Sequence, residues 1–174
     1  MTKASEPVQT APLKIAVLTL SDRRTLAEDS SGDYLQSALQ AAGHQLADRK
    51  LIASNLYQIR AVVSQWIADN QVQVVLISGG TGFHPRDCAP QALTPLFDRP
   101  VAGFGELFRH ISFAEIGSAS MQSNAFAGMA NDTLIFCMPG STNACRTAWQ
   151  QLIGPQLDVG TKPCNFVTKV SKGA

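Results

Sequence analysis

Short apolar runs of strand-like composition alternate with amphipathic helical segments, and this alternation constrains the fold more than any other feature of the sequence. Lys14–Leu20, Gln45–Ile52 and 72–77 are predicted strands, and 32–42 and Leu56–Ala68 between them carry apolar residues at helical spacing. The β-α-β-α-β order predicts an α/β domain with three α/β/α layers, a mostly parallel central sheet and right-handed crossovers.

The second half of the chain adds predicted helices at 88–97 and 104–116, a buried strand at 132–138, and a helix after the turn at 139–141. From Pro155 onward we expect an irregular segment. The helix at 104–116 carries an apolar stripe that we expect to face the core: Phe104, Leu107, Phe108, Ile111 and Ile116.

The length of 174 residues indicates one domain. With 45% hydrophobic and 16% charged residues, the chain has enough apolar material for a sizeable core. We expect residues 1–12 to be a flexible N-terminal tail and residues 13–174 to form a single domain.

Charge and residue usage exclude several classes of function. The net charge is +1 without a cluster of Lys and Arg, which argues against a nucleic-acid partner. The apolar runs are too short for a membrane span, and residues 1–12 lack the apolar stretch of a secretory signal, so we expect a cytoplasmic protein. Four cysteines without a C-x-x-C pair and three scattered histidines argue against a zinc site or a Ser-His-Asp triad. We expect reduced, mostly buried thiols.

In an open α/β sheet, ligands bind beyond the carboxyl ends of the strands, here the loops after Leu20, Ile77 and Met138. The loop after Ile77 contains Ser78, Gly79, Gly80, Thr81 and Gly82. Its glycines permit positive φ and leave backbone N–H groups unshielded, so the turn can wrap a phosphate, with the Thr81 hydroxyl as a further donor. A tight strand-to-helix turn without a ligand is the alternative.

The other two loops carry polar residues. Pro139, Gly140 and Ser141 lead into a helix start, which attracts anions, although N-capping by Ser141 or Thr142 explains the same pattern. The loop that begins Ser21-Asp22 lies over a ligand or is a solvated loop with Ser31 as helix cap.

These segments together resemble the molybdopterin adenylyltransferase (MoaB/MogA) family, and most closely its bacterial MoaB branch. TLSDRR, SGGTGFHPRD, GFGELFRHIS, EIG and FCMPGSTNACRTAW occur in the family's order between Lys14 and about Phe166. The resemblance implies a MogA/MoaB-like fold and a role in molybdenum cofactor biosynthesis. It further implies Mg²⁺-dependent transfer of AMP from ATP to the terminal phosphate of molybdopterin, with release of pyrophosphate. A homotrimer or hexamer, and contacts with other proteins of the pathway, are also implied.

The resemblance assigns roles to particular residues. Asp87 would hold Mg²⁺ and serve as the catalytic residue, although an N-cap for the helix at 88–97 is its structural alternative. The glycine turn would hold the nucleotide phosphates. Glu106 and Arg109, spaced as an i, i+3 surface pair, would instead border the pterin. The implied molybdopterin-binding residues are Ser21, Asp22, Gly105, Glu106, Arg109, Ser123, Pro139, Gly140 and Ser141.

Two departures from the family pattern keep a second function open. Relatives with full activity carry an acidic residue where this chain has Ser54, and a Ser-Arg-Ala segment is Ser123-Asn124-Ala125 here. Both changes remove charge from the expected site. A non-catalytic carrier or assembly protein that binds molybdopterin or nucleotide is therefore the alternative to an enzyme. A CinA-type nucleotide-processing domain has a related glycine turn but lacks the GFGELFR and MPGST segments.

Overall fold

The computed structural model describes residues 12–170 and residue 172. The strands are β1 (Lys14–Leu20), β2 (Gln45–Ile52), β3 (Val74–Ser78), β4 (Arg99–Pro100), β5 (Phe126–Ala130) and β6 (Thr133–Met138). They form one sheet in the order β2-β1-β3-β6-β5-β4. The first four strands in this order are parallel, whereas β5 and β4 pair antiparallel at one edge. The predicted mostly parallel sheet is confirmed.

The helices are α1 (Ser30–Ala41), α2 (Leu56–Ala68), α3 (Ala89–Leu93), α4 (Ala102–Ile116), α5 (Thr142–Ala148) and α6 (Gly154–Gln156). A π-helical turn, Trp149–Ile153, joins α5 to α6. Short 3₁₀ segments lie at Leu26–Glu28, Thr94–Leu96, Gly117–Gln122 and Val167–Lys169. No helix within the described residues is long and apolar enough to cross a lipid bilayer.

Two apolar clusters, one on each face of the sheet, make the three layers. On one face α1, α4 and α5 pack against the sheet through Leu35, Leu39, Phe104, Phe108, Cys145 and Ala148. On the other face α2 and α3 pack through Ile59, Val63, Trp66, Ala89, Ala92 and Leu93. The central strands β1, β3 and β6 are buried on both faces, as expected for near-continuous apolar runs. The predicted α/β/α architecture is confirmed.

The strand order reverses direction between β1 and β3. From β1 the chain runs outward through α1 to β2 and then returns through α2 to β3 on the other side of β1. Because both crossovers are expected to be right-handed, the two helices lie on opposite faces. A crevice results beyond the carboxyl ends of β1 and β3, at Leu20 and Ser78, which is where such folds bind ligands.

Two local expectations need correction, and two strands were not predicted at all. The cap of α1 is Asp29, whose carboxylate accepts the Gly32 N–H at 3.0 Å, and not Ser31. Asp87 is not an N-cap, because α3 begins after Cys88 and the Asp87 carboxylate accepts the His84 N–H instead. Strands β4 and β5 were not predicted; β5 consists mostly of small residues with weak strand propensity.

The apolar stripe on α4 is only half core. Phe104 and Phe108 are buried, but Leu107 and Ile116 are more than half exposed, and so is Phe113. The side of α4 that faces the sheet is formed by Phe104, Gly105, Phe108 and Ser112. Part of the predicted apolar stripe is therefore exposed to solvent instead of being buried in the core.

The ends of the chain bear on two further expectations. The predicted tail, residues 1–12, lies outside the described residues except for Pro12. The segment after Pro155 is mostly irregular, as expected, with one 3₁₀ turn at Val167–Lys169. Among the cysteines, Cys137 and Cys145 are buried, Cys88 is half-buried and Cys164 is exposed, and none is in a disulfide.

Candidate functional site

Two cavities open at the carboxyl edge of the sheet. Cavity A, of about 690 Å³, lies between the glycine turn, α3, α4 and the start of β5. Cavity B, of about 560 Å³, lies between the loops that follow β1, β2, β3 and β6. His84 and Asp87 line both cavities. The two cavities therefore share one wall, and this wall carries a carboxylate.

The glycine turn contains two residues with positive φ, Gly79 at 96° and Gly80 at 69°. The Gly79 N–H donates to the Met138 carbonyl at 3.0 Å, so this donor is already used. A Cβ at Gly79 would lie 2.4 Å from the Leu20 carbonyl oxygen. Glycine is required here because three strand ends converge closely. Within the described part of the chain, the N–H groups of Gly80 and Gly82 have no hydrogen-bond partner, and these two residues line cavities B and A.

Gly82 lies close to the Asp87 carboxylate. A Cβ on Gly82 would lie 2.5 Å from Oδ2 of Asp87. The same oxygen accepts the His84 N–H at 3.1 Å, which folds the turn back on itself. No partner for Oδ1 occurs among the described residues. The turn thus holds Asp87 at the shared wall with one oxygen available to a ligand.

Cavity A is lined by three of the predicted molybdopterin-binding residues, Gly105, Glu106 and Arg109 of α4. Arg109 donates from Nη1 to the carbonyls of Ser123 (3.3 Å) and Ala125 (3.2 Å), and no ion pair with Glu106 occurs among the described residues. A Cβ on Gly105 would lie 2.5 Å from the Ala125 carbonyl oxygen, so only glycine permits this approach of the chain to α4. Glu106 is exposed and lines the cavity; its carboxylate has no partner among the described residues and can accept hydrogen bonds.

Cavity B is built from loops that are tied to one another. The Ser31 hydroxyl donates to the Gly140 carbonyl at 2.7 Å, and Ser30 and Thr142 hydroxyls are 2.9 Å apart. Asp22 accepts the Ser54 N–H at 2.9 Å. These bonds join the loops after β1, β2 and β6, so the cavity walls are held together by side-chain hydrogen bonds.

Two of the predicted residues in cavity B also have local structural roles. The Ser141 side chain accepts the Ala144 N–H at 3.1 Å and therefore caps α5, as the alternative explanation proposed. The Ser21 hydroxyl accepts the N–H groups of Arg23 and Arg24 and shapes its own loop. Both residues still line cavity B.

Three arginines line cavity B that sequence reasoning did not single out: Arg23, Arg24 and Arg86. Arg24 donates to the Gly140 carbonyl and the Ser31 hydroxyl, both at 3.4 Å, and Arg86 is ion-paired with Asp22 at 2.9 Å. Against these three cations, Asp22 and Asp87 contribute two carboxylates. The local balance favours an anion, and the Arg-Arg pair after β1 was the available sequence signal.

A buried polar network supports the end of β1. Asp29 has no exposed surface and accepts hydrogen bonds from the Thr19 hydroxyl (2.8 Å), the Gly32 N–H and Arg49 Nη2 (3.0 Å). Burial lowers the pKa of Arg49, but hydrogen bonds to Asp29 and Asp33 outweigh burial and raise it above its ordinary value. Ser78 at the end of β3 donates to the Thr19 hydroxyl at 3.4 Å, so the network spans the two strand ends below cavity B.

The residues predicted to bind molybdopterin do not line a single cavity. Gly105, Glu106 and Arg109 lie in cavity A, whereas Ser21, Asp22, Gly140 and Ser141 lie in cavity B. The remaining predicted residues, Ser78, Gly79, Thr81, Ser123 and Pro139, line neither cavity, and Ser78 and Thr81 are buried. These five shape the turns that carry the lining residues.

The site offers no strong nucleophile. Two cysteines lie beside the site loops, Cys88 directly after Asp87 and Cys145 in α5. Burial raises the pKa of both thiols, and that of Cys145 to about 12, so both are neutral at neutral pH. No group of three or more His, Cys, Asp or Glu side chains within the described residues could hold a metal by itself. The arrangement can bind anions and align them, but it does not supply a covalent catalyst.

Comparison with known proteins shows the family to which the chain belongs. Residues 16–159 match the family described as "Probable molybdopterin binding domain". The chain is 58% identical over 161 residues to molybdenum cofactor biosynthesis protein B of Escherichia coli (strain K12), covering 92% of this chain and 95% of the relative. It belongs to this family. The protein of the same name from Bacillus subtilis (strain 168) is 40% identical over 155 residues, covering 87% and 91%.

A solved crystal structure of a molybdenum cofactor biosynthesis protein B also superposes on the chain. Its TM-score is 0.83 at 38% identity, with 86% of this chain and 93% of that chain covered. The molybdopterin-binding-domain family thus includes this chain in sequence and in fold, which confirms the predicted resemblance. The two departures from the family pattern both lie at the site: Ser54 lines cavity B and Asn124 lines cavity A.

Proposed function

We propose that this protein acts in molybdenum cofactor biosynthesis by adenylylating molybdopterin. The terminal phosphate of molybdopterin attacks the α-phosphorus of ATP, a phosphorus–oxygen bond forms, and pyrophosphate leaves. The observation that carries the proposal is the wall shared by cavities A and B, at which Asp87 faces both. A transfer between two bound substrates requires two adjoining cavities of this kind.

The chemistry of the linings suggests which substrate each cavity holds. Cavity B carries Gly80 and the arginines Arg23, Arg24 and Arg86, which suits the polyphosphate of ATP. Cavity A carries Glu106, a carboxylate that can accept hydrogen bonds from the ring N–H and amino groups of a pterin. We therefore assign Ser21, Asp22, Gly140 and Ser141 to the nucleotide side, and Gly105, Glu106 and Arg109 to molybdopterin.

The residues present are compatible with Mg²⁺ bound together with ATP. Mg²⁺ takes one or two carboxylates and completes its shell with phosphate oxygens and water. Oδ1 of Asp87 is available for this purpose. Bound there, Mg²⁺ would neutralise phosphate charge. Because the attacking phosphate is already ionised at neutral pH, the protein itself needs only to position the reactants and stabilise their charge.

Binding experiments with one variant per cavity test the assignment. Arg23 and Glu106 line cavities B and A, and neither side chain has a hydrogen-bond partner among the described residues. Arg23→Gln should weaken ATP binding about fivefold and leave molybdopterin binding unchanged, since a charge-assisted hydrogen bond is lost. Glu106→Gln should weaken molybdopterin binding and leave ATP binding unchanged. Calorimetry measures both; equal effects of each variant on both ligands would contradict two separate cavities.

A non-catalytic carrier remains the second candidate, and Ser54 and Asn124 are the observations that favour it. Ser54→Asp restores a carboxylate to cavity B beside Asp87. If the missing carboxylate limits metal binding, this variant should raise turnover with Mg²⁺ and ATP, measured as adenylylated product by mass. Tight binding of molybdopterin without product from either protein would favour the carrier.

We further propose that the protein works as a homotrimer or hexamer in the cytoplasm, where ATP is available, alongside other proteins of the pathway. On α4 and just beyond it, large apolar side chains are more than half exposed, and self-association would cover part of this apolar area: Leu107, Phe113, Ile116 and Met121. Light scattering on the wild type should give three or six times the chain mass of 18.6 kDa. A monomer at micromolar concentration would contradict this.

A further inference from the structure

An ion pair spans the mouth of cavity B. Nε of Arg86, on the turn after β3, lies 2.9 Å from Oδ2 of Asp22, on the loop after β1. Oδ1 of Asp22 accepts the Ser54 N–H at 2.9 Å. The carboxylate is therefore anchored to the loop after β2 through one oxygen and holds the arginine through the other.

Arg86 differs from the other two arginines of cavity B. Arg24 donates to neutral oxygens, and Arg23 has no side-chain partner among the described residues. Only Arg86 of these three is matched with a carboxylate. The positive charge of Arg86 is thus neutralised by Asp22, although the other two arginines of the same cavity favour an anion.

The pair is a weak one. The Arg86 side chain is 63% exposed and that of Asp22 29% exposed. Exposed pairs of this kind contribute little, because water screens them and two side chains must be held in place. A phosphate carries more charge than a carboxylate and offers a guanidinium several acceptor oxygens, so it can compete for Arg86.

We propose that Asp22 and Arg86 form an exchangeable ion pair, called the latch below, in which a polyphosphate entering cavity B replaces Asp22 as the partner of Arg86. Asp22 keeps its bond to the Ser54 N–H and stays in place as Arg86 turns to the ligand. Arg86 is then a binding residue and Asp22 a residue that sets affinity by competing with the ligand. The proposal rests on the proposed function only in assigning polyphosphate to cavity B.

A double-mutant cycle with pyrophosphate as the probe, without metal, separates the latch from other roles of Asp22. Asp22→Asn keeps an oxygen for the Ser54 N–H but removes the charge that holds Arg86, so pyrophosphate should bind about two- to fivefold more tightly. Arg86→Gln should weaken binding about tenfold. In the Arg86→Gln background, Asp22→Asn should gain much less than it does alone.

The control is Lys169→Gln, which removes one positive charge elsewhere. Lys169 precedes Val170, whose carbonyl accepts a hydrogen bond from Gln73 at the amino-terminal edge of the sheet. This variant should bind pyrophosphate as the wild type does. Melting curves for each variant would establish that it is folded before titration.

Three outcomes overturn the latch: Asp22→Asn weakens pyrophosphate binding, Arg86→Gln leaves it unchanged, or the gain from Asp22→Asn is the same in both backgrounds. If wild type binds pyrophosphate and forms product while the variants behave in one of these ways, the latch fails and the proposed function stands. If the wild type does not bind pyrophosphate but forms product, the latch likewise fails and the proposed function stands. If the cycle comes out as expected but the wild type forms no product with Mg²⁺, ATP and molybdopterin, the latch is supported and the proposed function fails.

Discussion

Asp29 and Asp33 provide a matched pair for testing how much the buried network below cavity B stabilises the fold. Both carboxylates are paired with Arg49, at 3.0 Å and 2.8 Å. They differ in burial: the Asp29 side chain is 0% exposed and that of Asp33 is 60% exposed. The same substitution, Asp to Asn, therefore removes a charge from the same arginine in two different environments.

The expected costs differ several-fold. In Asp29→Asn the amide oxygen can still accept the Gly32 N–H, but the amide N–H₂ then faces Arg49 and opposes its N–H groups. Breaking a buried pair in this way costs about 3 kcal/mol of unfolding free energy. Asp33→Asn should cost about 0.5 kcal/mol or less, since the pair is exposed.

Urea unfolding at one fixed protein concentration measures both changes. With a slope of about 2 kcal/mol/M, the midpoint for Asp29→Asn should fall by about 1.5 M and that for Asp33→Asn by about 0.3 M at most. Equal midpoints for the two variants would refute the reasoning, because burial would then not determine the contribution of the pair.

Two further predictions concern backbone geometry and pH. Gly79→Ala and Gly43→Ala both place a side chain at positive φ, but only at Gly79 would the Cβ meet the Leu20 carbonyl oxygen, at 2.4 Å. Gly43→Ala should therefore lower the free energy of unfolding by about 1 kcal/mol and Gly79→Ala by clearly more. Equal decreases in melting temperature for the two variants would contradict this. Burial lowers the pKa of His44, whose Nδ1 accepts the Leu13 N–H, below its ordinary 6.5. The imidazole of the unfolded chain therefore takes up a proton at higher pH than that of the folded chain, so the free energy of unfolding should decline from about pH 6.5 downward. The decline should be smaller in His44→Gln. Identical pH profiles of the melting temperature for wild type and His44→Gln would disprove this prediction.

Much of the fold could be predicted because the central strands are long apolar runs separated by helices with clear periodicity. β5 was not predicted, since its small residues lack alternation, although the two-residue turn Asn131-Asp132 that joins it to β6 was an available hairpin signal. The cap of α1 was misplaced because Asp29, Ser30 and Ser31 are all good caps in sequence. Leu107 was assigned to the core because helical spacing alone does not distinguish a buried apolar residue from an exposed one.

The loops that form the candidate site could be predicted, but not which of their residues line cavity A and which line cavity B. The glycine turn was found from the sequence itself, since glycines at a strand end are a local signal, whereas Asp87 was assigned through the resemblance to the family. Which residues share a cavity depends on contacts between distant loops, such as that of Asp22 with Ser54 and Arg86. These contacts separate the predicted molybdopterin set into two groups.

The central claim is adenylyl transfer across the wall that carries Asp87, and product formation tests it most directly. Wild type and Asp87→Asn would be incubated with ATP, Mg²⁺ and molybdopterin, and adenylylated molybdopterin followed by mass. Asp33→Asn, an exposed carboxylate outside both cavities, serves as the control. The account predicts product with wild type and Asp33→Asn and at least a hundredfold less, on the order of a lost transition-state contact, with Asp87→Asn. Equal product from wild type and Asp87→Asn would contradict it.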